Sequence, residues 1–295
     1  MTSIHLSQAV QDLSRRHIIP LSGGKDSTAL AVYMLEHYSS LPLEFVFTDT
    51  GAELPETYSY LRRFEAIFGI KIIRISALDL PELRVRSKNG RRSPFDVFLN
   101  EVYSGFLPSP QIRWCTRMLK IKPFEHFINN ENAYSYIGIR ADENREGFRS
   151  TTTKSDYKNS KTYNKTEGKT ERGKPVVFSH LGNILPVYPL KDIGFGLRDV
   201  NNLLINSGLG LPTYYQWRSR SGCYFCFYQQ IGEWQGLKIH HPDLFEAAKA
   251  YEITKPNGRK FTWSQHRSLE ELEKIHKRYT LSTNEAQNGC AICHL

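Results

Sequence analysis

The ten residues from Ile18 to Ser27 constrain the fold of this chain more than any other stretch. They read Ile-Ile-Pro-Leu-Ser-Gly-Gly-Lys-Asp-Ser, and a helical pattern follows directly. The apolar run predicts a buried strand, and the two glycines allow a tight turn in which a ligand can approach the backbone amides. A helix that starts beyond such a turn presents unpaired N–H groups and the positive end of its dipole. The stretch therefore predicts a strand–turn–helix unit that binds an anion.

The candidate binding residues of this turn are consecutive in the sequence. Lys25 would add a positive charge, and two serine hydroxyls would add hydrogen-bond donors to the backbone nest. The spacing is not that of a Walker A loop, which needs four residues between its glycines. An ordinary strand–turn–helix with a convenient glycine pair is the alternative interpretation. The predicted anion-binding residues are Ser22, Gly23, Gly24, Lys25, Asp26 and Ser27.

Strands and helices alternate in the first part of the chain, which predicts βαβ units and an α/β fold with a parallel sheet. Ligands of such sheets lie beyond the carboxyl ends of the strands. Helices are predicted at residues 5–17, 27–38, 55–68 and 197–207, and strands at 43–47, 71–75, 134–139 and 184–190.

Asp49, Thr50 and Gly51 follow the second predicted strand and form a second candidate site. A carboxylate at that position can hold Mg²⁺ or contact a ribose or adenine group beside the phosphates. The alternative is an Asx-type turn completed by the glycine. Because both loops end neighbouring strands, we expect Asp49 to lie beside the Ser-Gly-Gly turn.

The composition changes twice along the chain and predicts two domains. Residues 1–208 form the predicted α/β core, with an insertion at 149–174 that has eight basic and three acidic residues. Such a polar segment cannot bury a core, so we expect it to be mobile. Residues 209–295 are rich in aromatic residues and predict a smaller, mostly helical, cysteine-rich subdomain with helices at 243–252 and 268–278.

Four of the five cysteines form two C-x-x-C pairs, Cys223 with Cys226 and Cys290 with Cys293. One turn of this spacing can present two thiolates to one metal, so the pairs predict a metal centre. Zinc and a [4Fe–4S] cluster both suit four sulfurs, while free thiols or a redox pair are the alternative. An odd cysteine count argues against a secreted disulfide framework. With no predicted membrane span or leader, the expected location is cytoplasmic.

The fifth cysteine, Cys115, lies among the cations Arg113, Arg117, Lys120 and Lys122. Nearby cations lower the pKa of a thiol, so Cys115 is a candidate carrier of sulfur as a persulfide. A metal ligand and a buried structural cysteine are the alternatives. Arg140 follows the fourth predicted strand and is the candidate clamp for a transferring phosphoryl group, unless it only pairs with Asp142 or Glu143.

The chain carries a formal net charge of +9, which bears on its partners rather than on its fold. Residues 84–92 contain five cations and no anion, and the insertion at 149–174 is also basic. Such segments can follow the backbone of a nucleic acid without reading its sequence. Plain solubility is the alternative explanation of these charges.

The Ser-Gly-Gly-Lys-Asp-Ser turn resembles the SGGxDS loop of the ATP pyrophosphatase (PP-loop) superfamily. The order of later motifs resembles its phosphoadenosine phosphosulfate (PAPS) reductase branch. The resemblance implies an adenine nucleotide α-hydrolase-like core that uses ATP and Mg²⁺, with Lys25 and Arg140 as catalytic residues. It also favours a [4Fe–4S] cluster over zinc, although cluster-bearing reductases have a Cys-Cys pair where this chain has Trp114-Cys115. The matching motifs are Ser22–Ser27, Thr48–Thr57, Trp114–Phe124, Gly138–Glu143, Pro189–Asp192 and Gly222–Cys226.

Within this branch the chain looks most like the ATP pyrophosphatase subunits of DNA phosphorothioation systems of the Dnd and Ssp types. That resemblance implies an enzyme that adenylates a DNA backbone phosphate, so that sulfur can replace a non-bridging oxygen. It also implies DNA, a cysteine desulfurase and other subunits of a DNA modification complex as partners. A PAPS or adenylylsulfate reductase that uses thioredoxin and a tRNA thiolase are the alternative functions.

Overall fold

The computed structural model describes residues 4–81, 93–143, 183–254, 260–264, 267–275, 277 and 279–280. It also describes the backbone of the strand residues 163–164 and 169–170. The basic segment 84–92, most of the insertion at 149–174, and the pair Cys290 and Cys293 lie outside these residues.

A five-stranded parallel sheet forms the centre of the molecule, in the order β3-β2-β1-β4-β7. Two short antiparallel pairs, β5 with β6 and β8 with β9, lie outside it. The strands are β1 Arg16–Leu21, β2 Leu43–Asp49, β3 Ile72–Ser76, β4 Ala133–Tyr136, β5 Tyr163–Asn164, β6 Lys169–Thr170, β7 Ile184–Val187, β8 Ile253–Thr254 and β9 Lys260–Phe261.

Helices connect and cover the strands, and two of them continue into π-helical turns at Phe98–Val102 and Arg117–Ile121. Short 3₁₀ turns lie at Ala77–Asp79 and Thr213–Gln216. The α-helices are α1 Leu6–Ala9, α2 Lys25–His37, α3 Pro55–Phe68, α4 Pro94–Val97, α5 Trp114–Thr116, α6 Lys122–Ile128, α7 Pro189–Asp192, α8 Leu197–Asn206, α9 Ile231–His240, α10 Pro242–Ala250 and α11 Leu269–Glu273.

The central strand β1 contains a proline, which cannot donate to a strand ladder. β1 pairs with β2 as far as Leu21, but its pairing with β4 ends at Ile18. Pro20 therefore lies beyond the ladder on the β4 side. The strands β1 and β4 are not paired at the end where β1 leads into the glycine turn.

Two large apolar cores differ in composition. The sheet core packs β1, β2, α2, α3 and α8 mostly through aliphatic side chains. The aromatic core contains all four tryptophans of the chain, Trp114, Trp217, Trp234 and Trp263. It joins side chains from positions 52–119 to side chains from positions 214–272. The predicted domain division at residue 208 stays a prediction, but this core is built from both sides of it.

The predicted α/β fold with a parallel sheet is confirmed, and α3 has the predicted ends. The predicted helix at residues 5–17 is wrong in extent, since only Leu6–Ala9 is helical. Asp12 explains the difference: its carboxylate accepts hydrogen bonds from the backbone N and Oγ of Ser14 and forms a turn that competes with the helix. The last predicted helix is also shorter, at Leu269–Glu273. None of the helices in the described ranges is long and apolar enough to cross a membrane.

Candidate functional site

The Ser-Gly-Gly loop, residues 22–27, lies at the carboxyl end of β1. The chain runs from β1 outward through β2 to β3 and then returns to place β4 on the other side of β1. The order of the strands therefore reverses at β1, and in open parallel sheets the crevice at such a reversal binds ligands. The loop occupies the position at which this fold places its ligand.

Both glycines of the loop are required by close neighbours. Gly23 has φ +69°, and a Cβ on it would lie 2.5 Å from Cγ2 of Thr57. A Cβ on Gly24 would lie 2.5 Å from Oγ of Ser221, on a segment nearly 200 positions later. Tyr214 holds the turn from the same side, since its hydroxyl donates to the carbonyl of Gly23 at 2.8 Å. The loop conformation thus depends on the C-terminal part of the chain.

Three buried serine hydroxyls line the loop. Oγ of Ser22 lies 3.1 Å from Oγ of Ser27 and 3.3 Å from Oγ of Ser221. The backbone N–H of Ser22 donates to Oγ of Ser27, and Oγ of Ser27 donates to the carbonyl of Gly24. Hydroxyl hydrogens rotate freely, so this group can turn its donors toward an anion while the heavy atoms stay in place.

The charges at the loop are arranged around Asp26. Nη1 of Arg140 lies 2.8 Å from a carboxylate oxygen of Asp26, and Nζ of Lys25 lies 3.8 Å from the other. Burial alone would lower the pKa of Lys25, but Tyr215 and Asp26 outweigh it and raise that pKa. Both cations therefore stay charged at neutral pH beside the start of α2.

Arg140 also pairs with Asp142 and Glu143, at 2.8 Å in each case. The ion pairs of the alternative interpretation are thus present, yet the side chain is only 13% exposed and reaches the loop. Gly138 explains this placement, because a Cβ there would lie 2.9 Å from the backbone of Asp26 and Ser27. The chain after β4 lies directly against the start of α2, and Arg140 follows two residues later.

Asp49 forms the Asx turn that the sequence allows. Its Oδ1 accepts hydrogen bonds from the backbone N–H of Gly51 at 2.8 Å and from the hydroxyl of Tyr58 at 2.7 Å. This leaves Oδ2 as the oxygen that suits a cation such as Mg²⁺. A role for Asp49 and Gly51 in nucleotide or metal binding stays a prediction.

The side chain of Thr50 contacts a cysteine. Its hydroxyl donates to Oε1 of Glu53 at 3.0 Å and lies 3.4 Å from Sγ of Cys223. Sγ of Cys223 is itself 3.8 Å from Oε1 of Glu53. Burial, and then the carboxylate of Glu53, raises the pKa of Cys223 to about 12. The structure thus places this predicted nucleotide residue in a buried group with a protonated thiol.

An apolar cavity of about 40 Å³ brings three cysteines together. Cys115, Cys223 and Cys226 all line it, with Thr50 and Lys120 among the polar neighbours. Aromatic side chains, including Phe95, Phe225 and Trp263, form much of the remaining wall. We call this cavity the cysteine pocket. Cys115 therefore belongs to the same site as the first C-x-x-C pair, which the sequence did not predict.

The donor chemistry of the cysteine pocket suits a thiolate-bound metal centre, because three soft sulfur ligands share one apolar cavity. Among the described residues, however, no three His, Cys, Asp or Glu side chains are close enough together to hold a metal ion. The predicted partners Cys290 and Cys293 lie outside those residues. Metal binding by Cys223 and Cys226 stays a prediction, and Cys115 is the third sulfur that the structure places beside them.

One stretch, residues 213–226, connects the Ser-Gly-Gly loop to the cysteine pocket, and we call it the bridging segment. At one end the backbone N–H of Lys25 donates to the hydroxyl of Tyr215 at 3.2 Å, and Nζ of Lys25 lies 4.5 Å from the centre of that ring. At the other end Cys223 and Cys226 line the pocket. The two candidate sites are thus in direct structural contact.

Arg218 stiffens the bridging segment. It is 1% exposed, and its guanidinium donates to the carbonyls of Gly222 at 3.0 Å and of Cys223 at 2.7 Å. Sequence reasoning missed Arg218, Tyr215, Ser221 and Glu53. Glu53 lies inside the quoted motif Thr48–Thr57 but received no role there, and the other three precede the quoted motif Gly222–Cys226.

A comparison with models of protein families assigns the chain to a family. The profile of the phosphoadenosine phosphosulfate reductase domain matches residues 16–238, from the first residue of β1 to within α9. The chain belongs to this family. The predicted PAPS reductase branch is thereby confirmed, and with it a coarse assignment to enzymes of the PP-loop superfamily. The closer resemblance to DNA phosphorothioation subunits stays a prediction.

Curated relatives of this PAPS reductase family chain are distant. An uncharacterized protein of Methanocaldococcus jannaschii is 25% identical over 244 residues, which are 82% of this chain and 42% of the relative. An uncharacterized nin region protein of Escherichia phage lambda is 28% identical over 142 residues, 43% of this chain and 49% of the relative. A sulfate adenylyltransferase subunit 2 of Streptomyces lavendulae is 32% identical over 100 residues, 32% of this chain and 31% of the relative. The aligned part is less than half of each relative.

The solved structures that resemble this PAPS reductase family chain include two enzymes. One is a phosphoadenylyl-sulfate reductase from Candida auris, with a TM-score of 0.43 and 12% identity, covering 72% of this chain and 81% of that one. The other is the U34-tRNA thiolase NcsA from Methanococcus maripaludis with its [4Fe–4S] cluster. Its TM-score is 0.42 at 15% identity, covering 98% of this chain and 87% of that one.

Proposed function

We propose that this protein is an ATP pyrophosphatase that adenylates a DNA backbone phosphate, so that sulfur can replace a non-bridging oxygen. The observation that carries the proposal is the contact between two sites. The Ser-Gly-Gly loop, suited to phosphates, touches the same bridging segment that carries two of the three pocket cysteines. An enzyme that activates an oxygen with ATP and then replaces it with sulfur needs these two sites side by side.

In the first step the loop holds the β- and γ-phosphates of ATP, and Asp49 would hold Mg²⁺ beside them to neutralise phosphate charge. A non-bridging oxygen of the substrate phosphate attacks the α-phosphorus, and pyrophosphate leaves. Lys25 and Arg140 stabilise the negative charge that develops on the departing phosphates. To do so, Arg140 must exchange part of its pairing with Asp26, Asp142 and Glu143 for the phosphates.

In the second step the terminal sulfur of a persulfide on Cys115 attacks the activated phosphorus, and AMP leaves. A second thiol then cleaves the sulfur–sulfur bond, leaving the phosphorothioate and a disulfide that an external dithiol reduces. A cysteine desulfurase would load Cys115 with sulfur. Lys120, which lines the same pocket, supports the approach of an anionic substrate to Cys115.

A [4Fe–4S] cluster held by Cys223 and Cys226 would supply iron sites at which sulfur can bind beside Cys115. Zinc would use the same thiolates but supplies no redox chemistry. The pocket walls suit either group, because aromatic side chains lie beside the sulfur ligands. An absorbance spectrum of protein purified without oxygen separates the two: a broad band in the visible blue that bleaches in air supports the cluster.

Charge favours a nucleic acid over a small sulfonucleotide as the substrate, and the proposal takes DNA as that nucleic acid. The chain has a net charge of +9, and its basic segments at 84–92 and 149–174 suit a polyanion. A reductase of a small sulfonucleotide has no need of such segments. The reductase nevertheless remains the second candidate, because the family profile that matches this chain is that of the PAPS reductase domain.

The deciding experiment measures pyrophosphate released from γ-labelled ATP when DNA, tRNA or a sulfonucleotide is supplied in turn. The proposal expects release with DNA, together with phosphorothioate linkages detected by mass spectrometry of the digested DNA. Sulfite released from a sulfonucleotide, without pyrophosphate from ATP, supports the reductase and contradicts the proposal. If pyrophosphate and a thiolated base are obtained only with tRNA, the result supports a tRNA thiolase and contradicts the proposal.

The variant Cys115→Ser separates the two steps. We expect it to keep DNA-dependent release of pyrophosphate and to lose the sulfur-containing product, because only the carrier thiol is missing. Full sulfur incorporation by Cys115→Ser would show that Cys115 carries no sulfur.

A further inference from the structure

We propose that Ser221 is a nucleotide-binding residue, whose hydroxyl holds a phosphate together with the hydroxyls of Ser22 and Ser27. Binding of this phosphate also restricts the motion of the cysteine pair that follows Ser221. The inference rests on the proposed function, because it needs ATP at the Ser-Gly-Gly loop. It adds a ligand from the C-terminal part of the chain, nearly 200 positions from the loop.

The first argument is the position of the hydroxyl. Ser221 is 8% exposed, and its Oγ lies so close to Gly24 that even a Cβ on this glycine would come within 2.5 Å of it. Its hydrogen-bond partner is Oγ of Ser22, at 3.3 Å. Ser221 is thus packed onto the backbone of the turn rather than onto the surface beside it.

The second argument is the hydrogen-bond chemistry of the three hydroxyls. They form one chain that runs from Ser221 through Ser22 to Ser27 and ends at the carbonyl of Gly24. Each hydroxyl can rotate its hydrogen without moving its oxygen. A phosphate oxygen near this chain can therefore receive a donor from Ser221 at no cost in packing, and Lys25 and the start of α2 supply the matching positive charge.

The third argument is the rigid connection to the cysteines. The buried guanidinium of Arg218 donates to the carbonyls of Gly222 and Cys223, the two residues that follow Ser221. The backbone N–H of Cys226 donates in turn to the carbonyl of Cys223 at 3.1 Å. A phosphate that fixes Ser221 therefore also fixes the turn that carries Cys223 and Cys226.

The test measures binding of α,β-methylene-ATP, which cannot release pyrophosphate, to the full chain by calorimetry. Ser221→Ala is expected to bind this nucleotide about tenfold more weakly than wild type does, because it loses one hydrogen bond to a charged group. Ser219→Ala is the matched control, because the hydroxyl of Ser219 lies on the same segment but donates to Glu233 at 2.7 Å. This control is expected to bind like wild type.

A second readout follows the cysteines directly. Saturating α,β-methylene-ATP is expected to slow alkylation of Cys223 and Cys226 several-fold in wild type and in Ser219→Ala, and to leave their rates unchanged in Ser221→Ala. Equal nucleotide affinity of Ser221→Ala and wild type would overturn the inference and leave the proposed function standing. A wild-type chain that binds no nucleotide would overturn both.

Discussion

The Ser-Gly-Gly loop takes its candidate ligands from six consecutive residues, whereas the cysteine pocket joins Thr50 to Cys223, which are 173 positions apart. The loop rests on the sheet core, in which most side chains are aliphatic. The pocket rests on the aromatic core, which supplies Phe95, Phe225 and Trp263 to its wall. The first site is built on the backbone geometry of one turn, which contacts from Thr57, Tyr214 and Ser221 hold in place. An assembled site of the second kind depends on the packing of distant segments, so the two should respond differently to substitution.

The largest expected effect comes from removing a large aromatic side chain from the pocket wall. Trp263 is 2% exposed, stacks on Phe225 at 4.8 Å between ring centres, and donates from Nε1 to the carbonyl of Ala248. Trp263→Ala should lower the free energy of unfolding by about 3–5 kcal/mol. It should also speed alkylation of the pocket cysteines, because their wall is lost. Urea denaturation and alkylation kinetics measure the two effects.

Phe64→Ala is the matched change in the sheet core, since Phe64 is fully buried there. It should lower the free energy of unfolding by a similar amount, about 3–5 kcal/mol, but leave alkylation of Cys223 and Cys226 at the wild-type rate. If Phe64→Ala exposes the cysteines as much as Trp263→Ala does, the two cores do not serve separate sites and the comparison fails.

The next effect is expected in the loop itself. Gly23→Ala places a β-carbon at φ +69° and 2.5 Å from Thr57, so strain and overpacking together should cost about 2–4 kcal/mol. The loop can relieve the clash only by moving, and binding of α,β-methylene-ATP should be lost.

Gly208→Ala separates strain from crowding, because Gly208 has φ +77° and a β-carbon added there would meet nothing within 4 Å. Strain alone should cost about 1–2 kcal/mol, with unchanged nucleotide affinity by calorimetry. Wild-type affinity of Gly23→Ala would show that the loop conformation does not decide binding.

The smallest expected effect tests how independent the loop is of the bridging segment. The hydroxyl of Tyr215 accepts the N–H of Lys25, which a phosphate oxygen at the start of α2 would also use. Tyr215→Phe removes this competitor and keeps the ring beside Nζ of Lys25. Calorimetry should show that α,β-methylene-ATP binds about fivefold more tightly. This change corresponds to about 1 kcal/mol, the contribution of one neutral hydrogen bond. Weaker binding would mean that the hydroxyl helps to hold the phosphate instead.

The same contrast explains what the sequence can predict. The parallel sheet and the place of the Ser-Gly-Gly turn in it follow from consecutive residues, so the alternation of strands and helices and the glycine pair were sufficient for these. The contacts of Thr57, Tyr214 and Ser221 that hold the turn could not be predicted in this way. Arg140 was placed near the loop because it follows a strand of that sheet. Each of these predictions needs only the general rule that strand ends of a parallel sheet meet at one edge.

The cysteine pocket could not be predicted in the same way. The sequence left Cys115 open as a sulfur carrier, a metal ligand or a structural cysteine, because the aromatic core that joins Cys115 to Cys223 is a tertiary contact. Thr50 was assigned to the nucleotide by its neighbour Asp49, but successive residues at a strand end point in different directions. Only the packing shows that Thr50 turns toward Glu53 and Cys223.

The aromatic core has a consequence for how proteins of this kind can diverge. Because side chains from positions 52–119 and 214–272 interlock within it, the C-terminal region cannot be exchanged for that of another protein as a ready-made module. A chimera that keeps this sheet but borrows a foreign tail would leave Phe95, which stacks on Trp114, without its ring partners Phe225, Tyr251 and Trp263. Recombination should therefore succeed only when the segment around Phe95 and Trp114 is transplanted together with the tail.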